Sequence, residues 1–121
     1  MNEEDKTQIG LSENAHTLLQ SLKDDGFIQQ LQDGYRLGIG LAVARGKVAQ
    51  ASSGFRTIFA VSTIDPDGAL KTVLTELYPE ERSRPYAFAE RLAEYGVREL
   101  GEAHKAGTLN IGDLLDEAAR G

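Results

Sequence analysis

The 121-residue sequence predicts a mainly α protein: a short N-terminal strand, then a bundle of about five helices, with a second short strand near 57–62. Three observations carry that fold class. Apolar residues recur at helical spacing in several stretches, each bounded by a capping residue, a proline or a glycine. Residues 7–11 alternate polar and apolar, the mark of a half-buried strand. One later stretch is apolar around nearly its whole circumference, which suits a helix at the centre of a bundle.

Met1 to Lys6 is charged and is expected to fray, leaving 7–121 as one globular domain. Thr7 to Leu11 is the strand, paired with an equivalent strand or with residues 57–61 so that its apolar edge is not left bare. Ser12 is a good N-cap and Glu13 suits the first turn of a helix. Ala15, Leu18, Leu19 and Leu22 then mark the buried face of a helix running to about Asp25, with Gly26 as its stop. The second helix spans about Ile28 to Arg45 and ends at Gly46.

Lys47 to Gly54 reads as a loop, and Thr57 to Ser62 as a strand or a buried helical end. Asp65-Pro66-Asp67 is a helix start, Asp65 as N-cap and Pro66 at the first position. That helix carries Leu70, Val73, Leu74 and Leu77 and stops before Pro79. A fourth helix begins around Ser83 to Pro85, buries Phe88, Ala89, Leu92, Ala93, Val97 and Leu100, and is closed by Gly107. A last short helix, 112–120, would bury Leu114, Leu115 and Ala118.

Gly34, Gly38 and Ala42 fall four apart on the second helix. Glycine inside a helix costs about 1 kcal/mol relative to alanine, so such a stripe implies that another backbone comes close. The opposite helix belongs either to the same chain or to a second copy. On the second reading Gly34, Tyr35, Gly38, Ile39 and Ala42 form the interface of a homodimer.

Composition narrows the function classes. The absence of cysteine removes disulfides, thiol nucleophiles and thiolate metal sites, and fits a reducing cytoplasm. No apolar run approaches a membrane span, and the acidic N-terminus does not resemble a signal peptide. A net charge of −6 weakens any general attraction to phosphate backbones. His16 and His104 read as surface or capping residues, and no metal or cofactor is expected. Glu90 and Glu94 lie one turn apart and read as part of a solvated helix face. Arg82, Arg84, Arg91 and Arg98 alternate with acids as a salt-bridged surface. Ser52-Ser53-Gly54 lacks the frame of a phosphate loop, no nucleophile elbow occurs, and the chain is not expected to be an enzyme.

The order strand, Ser12 cap, helix, glycine, helix over residues 7–45 resembles a ribbon-helix-helix unit. Ile9-Gly10-Leu11-Ser12-Glu13 and Asp33 to Ile39 are also similar to small accessory proteins of bacterial DNA sulfur-modification systems. The resemblance implies a dimer whose strands pair across chains and touch DNA, here through Lys6 and Gln8 with Arg36 or Arg45 in support. Two departures stand against it. Gly10 offers no side chain to read a base, and the start of the second helix has no Ser, Thr or basic residue. The leading expectation is therefore a non-catalytic oligomerising or adaptor module of a bacterial multi-protein system, partnered by itself and by another protein. A ribbon-helix-helix-like DNA-binding dimer is the alternative.

Overall fold

The computed structural model describes residues 4–51 and 54–109. In chain order the elements are β1 (Gln8–Leu11), α1 (Glu13–Asp24), α2 (Leu31–Arg45), β2 (Arg56–Ala60), α3 (Val61–Ile64), α4 (Ala69–Leu77) and α5 (Pro85–Lys105). A single 3-10 turn, Pro79–Glu81, links α4 to α5. The expected mainly helical bundle with an N-terminal strand and a second short strand is what forms. The helix expected at 112–120 lies outside the described residues.

β1 pairs antiparallel with β2 of the same chain, joining Gln8 to Ala60, Ile9 to Phe59, Gly10 to Thr57 and Leu11 to Arg56. The register slips between Ile9 and Gly10. A Cβ on Gly10 would lie 1.6 Å from the Arg56 carbonyl oxygen, so only glycine lets β2 approach this closely. α1 starts as expected: Ser12 Oγ accepts from the Ala15 amide at 3.2 Å.

Two starts shift. α2 begins at Leu31 rather than Ile28, because the chain turns after Gly26 with the Phe27 amide bonded back to Leu22 O and Gln30 still extended. Asp65-Pro66-Asp67 does not open a helix directly. It forms a turn through Gly68, whose φ of +77° suits glycine, and α4 starts at Ala69. Asp65 still caps that helix, since its carboxylate accepts from the amides of Leu70 at 2.9 Å and Lys71 at 3.0 Å. The apolar stretch at 57–62 divides into β2 and the one-turn α3.

α5 is the central rod, packing most extensively on α2 and next on α1. The α2–α5 crossing is made by glycine against glycine. A Cβ on Gly96 would fall 1.8 Å from Gly38 O, and one on Gly38 would fall 2.9 Å from Val97 N. Gly101 opens a similar seat for Leu18 of α1, and Gly34 seats against Leu19 and Ile28. The core gathers around these crossings: Ile9, Leu11, Leu19, Tyr35, Ile39, Val97 and Leu100 are all buried. No helix among the described residues is long and apolar enough to cross a membrane.

The glycine stripe therefore closes onto α5 and α1 of its own chain. Gly34, Tyr35, Gly38, Ile39 and Ala42, expected at a dimer interface, are buried within one protomer and present no surface to a second. Small residues at this spacing require a close helix but do not say which one.

Candidate functional site

The residues of greatest chemical interest are Glu90 and Glu94, 4% and 2% exposed, one turn apart on α5. They are not on a solvated face. Among the described residues β1 has one edge on β2 and one edge with no strand beside it. Both carboxylates lie along that second edge. Glu90 accepts the Gly10 amide at 2.9 Å, and Glu94 accepts the Ser12 amide at 2.9 Å. Tyr35 completes the edge by donating its hydroxyl to Gly10 O at 3.0 Å. Side chains here supply the hydrogen bonds that a third strand would otherwise make.

Each carboxylate also meets a cation. Lys6 Nζ donates to Glu90 Oε1. Glu94 Oε2 accepts from Arg98 Nε at 2.7 Å and from Ser12 Oγ at 2.7 Å. A buried carboxylate is tolerable only when paired and hydrogen-bonded, and both meet that condition. Ser12 is thus the hinge of the arrangement, capping α1 with the same hydroxyl that it donates to α5. Burial, followed by the charges of Glu90 and Glu94, raises the Tyr35 phenol well above its ordinary range and keeps it a donor.

The N-terminal segment is anchored by the same helix. Asp5 accepts from the Tyr86 amide at 2.8 Å and the Ala87 amide at 3.0 Å, capping the first turn of α5. Residues 5 and 6, expected to fray, are tied down at both ends of this contact. Nearby, Tyr86 donates its hydroxyl to Asp65 at 2.8 Å. Burial raises the Asp65 carboxyl, but the Leu70 and Lys71 amides, Tyr86 and Arg36 outweigh it and leave it below the ordinary value. Tyr86 is pushed up to about 12, first by burial and then by Asp65.

The chain matches no protein-family model, no curated protein and no solved structure.

The residues expected to touch DNA are dispersed onto separate internal partners. Lys6 sits on Glu90, and Arg45 donates to Glu99 at 3.0 Å. Arg36 donates to the carbonyls of Ile64 and Thr63 at 3.0 and 2.6 Å, closing the C-terminal end of α3. Gln8 is exposed at the start of β1. Among the described residues no group of three or more His, Asp or Glu side chains is placed to hold a metal ion. His104 contacts Asp25 at 2.6 Å and packs edge-on against Phe27, joining the ends of α1 and α5. Of the expected arginine pairs, Arg98 meets Glu94, whereas Arg91 turns to the backbone of residue 49.

Two grooves lie along α5 beside Ala51 and Phe55 of the loop between α2 and β2. The loop is held by the Ala49 amide on Arg91 O at 3.2 Å and by Arg91 Nε on Ala49 O at 2.8 Å. One groove reaches Glu90 and the other Glu94. Sequence reasoning placed these glutamates in solvent because it weighed their charge alone. Their register with Val97 and Gly101, at i+7 and i+11 from Glu90, was the signal that they share the inward arc.

Proposed function

We propose that the chain is a non-catalytic oligomerising or adaptor module that self-associates reversibly through α4. The observation that carries this reading is the outer face of that helix. Val73 is 50% and Leu77 53% exposed, with exposed Ala69 one turn before them and half-buried Leu70 alongside. Large apolar residues in a row on one helix face mark a contact surface more often than isolated ones do. The stripe fits a second copy of itself. In an antiparallel pair centred on Val73, the small Ala69 lies opposite the large Leu77, four residues to either side. A nine-residue helix is only about 13 Å long. It covers less than the roughly 800 Å² per partner of a stable interface, so the association is weak.

The buried carboxylates support the same reading. Glu90, Glu94 and Asp65 are occupied in holding elements together, which leaves them serving the scaffold. The cations proposed to contact DNA are engaged likewise, and the net charge of −6 opposes a phosphate backbone.

Light scattering over about 10 µM to 1 mM tests the proposal, the range expected for an interface of this size. The mass should climb above the 13.1 kDa protomer with concentration. A Val73→Lys, Leu77→Lys double variant with unchanged circular dichroism should stay at the protomer mass. A wild-type chain that remains at 13.1 kDa throughout ends the self-association reading. Sub-micromolar duplex binding at about 150 mM salt would instead favour the DNA-binding dimer.

A further inference from the structure

The apolar row on α4 has a rim of one-sided charge. Ala69, Val73 and Leu77 stand four apart, so they form a single ridge along the helix. Glu76 is exposed and lies three residues after Val73, on the flank of that ridge. Just past the helix come Glu80, exposed, and Glu81, half-buried. Among the described residues none of these three carboxylates makes an ion pair. The last turn of α4 holds no cation, so its carbonyl end adds to the same negative field.

Two cations lie in the same stretch. Lys71 sits two residues before Val73, about 160° around the helix, and so faces away from the ridge. Arg82 is exposed beyond the 3-10 turn. With both counted, residues 67–82 hold Asp67, Glu76, Glu80 and Glu81 against Lys71 and Arg82, a net charge of −2.

An antiparallel self-pair doubles that charge. A two-fold axis at Val73 keeps each flanking residue on its own side of the interface, so the two Glu76 side chains share one edge. Six residues of helical rise separate them, about 9 Å along the axes. That is about one Debye length at physiological salt, so they repel. A helix with a similar apolar ridge but Lys or Arg beside it meets the same rim with opposite charge.

We propose that the α4 face takes a basic amphipathic helix of a partner protein in place of a second copy. Its apolar ridge lies on Ala69, Val73 and Leu77, and its Lys or Arg side chains lie over Glu76 and Glu80. Resting on the reading of α4 as a contact face, this choice of partner is what makes the chain an adaptor.

Nitrogen-edited NMR titration of the full chain tests it with three synthetic helical peptides of about 18 residues. The first carries Leu at i, i+4, i+7 and i+11 with Lys and Ala elsewhere. The second has Glu for each Lys, and the third has Ser for each Leu. The first should give saturating shifts at the Val73, Glu76 and Leu77 amides. Its dissociation constant should be about 100 µM, in keeping with a nine-residue helix face. The other two should bind about tenfold more weakly or not at all. Raising NaCl from about 50 to 500 mM should weaken the first peptide several-fold. A Glu76→Gln, Glu80→Gln double variant should do the same, whereas Lys71→Gln should not. Equal binding of the Lys and Glu peptides overturns the proposal, as do shifts centred away from α4 or no saturable shift. A chain that stays at 13.1 kDa alone yet takes the Lys peptide at α4 upholds the basic-helix site and ends the self-association reading. A chain that self-associates through α4 but ignores the peptide does the reverse. The wild-type peptide comparison decides the matter even if a variant fails to fold.

Discussion

Gly96→Ala tests the central joint of the fold. A methyl group there would lie 1.8 Å from Gly38 O, 2.3 Å from its carbonyl carbon and 2.5 Å from its Cα. All three atoms are backbone, so no side chain can rotate away. Real Cβ contacts do not fall below 3.0 Å, so α2 and α5 must part by at least about 1.2 Å. A radial gap of 0.5–1 Å already forfeits roughly a quarter to a half of each dispersion contact. Ile39, Ala42, Val97 and Leu100 are buried beside the crossing and would share that loss. Overpacking of this kind costs about 1–3 kcal/mol, and more where backbone must move. Alanine returns about 1 kcal/mol of helix propensity. The expected net destabilisation is about 2–3 kcal/mol, read as a lower urea midpoint by circular dichroism with the slope unchanged. Gly40 is the control: it lies on the partner helix α2, two residues from Gly38, with nothing within 4 Å of a built Cβ. Gly40→Ala should stabilise by up to about 1 kcal/mol. If Gly96→Ala also stabilises, the two helices do not cross there and the core argument fails.

Glu94→Gln removes a charge that holds Ser12 and Arg98, and should cost about 2–3 kcal/mol by the same unfolding assay; a neutral result would mean that β1 does not rely on it. Asp5→Ala uncaps α5 and should cost about 1 kcal/mol, visible as faster amide exchange at Tyr86 and Ala87. Asp65 has a folded value below its ordinary 3.8, so its stabilisation is complete above that pH and is lost as acid titrates the folded carboxyl. Asp65→Asn should therefore be less stable at neutral pH and show a flatter acid limb. Tyr86 is shifted the other way, from 10.0 to about 12, so its contribution holds below pH 10 and disappears as pH rises towards 12. Tyr86→Phe should flatten that alkaline limb.

Local signals were legible in the sequence wherever one residue acts on its neighbours. Ser12 capping α1, Gly46 and Gly107 ending α2 and α5, and the alternation of β1 are of this kind, since each depends on contacts within a few residues. The choice of β2 as the partner of β1 was present as one of two alternatives, because pairing chemistry is the same within and between chains. What was not legible depends on distant residues. The stripe Gly34, Gly38, Ala42 announces a close helix, but its partner Gly96 lies 58 positions beyond Gly38 and only the folded crossing identifies it. Glu90 and Glu94 look solvated until β1 is laid beside them. The groove at Lys6 and Arg91 is still less visible, because its walls come from the N-terminal segment, the loop before β2 and α5.

The covered edge of β1 also fixes when this protein can be finished. Its carboxylate contacts join residues 80 to 84 positions apart: Gly10 to Glu90, Ser12 to Glu94, Lys6 to Glu90. During synthesis β1 and α1 leave the ribosome before α5, and the carboxylates that accept from the Gly10 and Ser12 amides arrive only with that helix. Contacts of such long span close late and slowly, after the loop entropy between them has been overcome. The first half of the chain is thus an unfinished object on its own. Its completion waits for the last long helix, and a break anywhere before residue 94 leaves Ser12 without the carboxylate that secures it to α5.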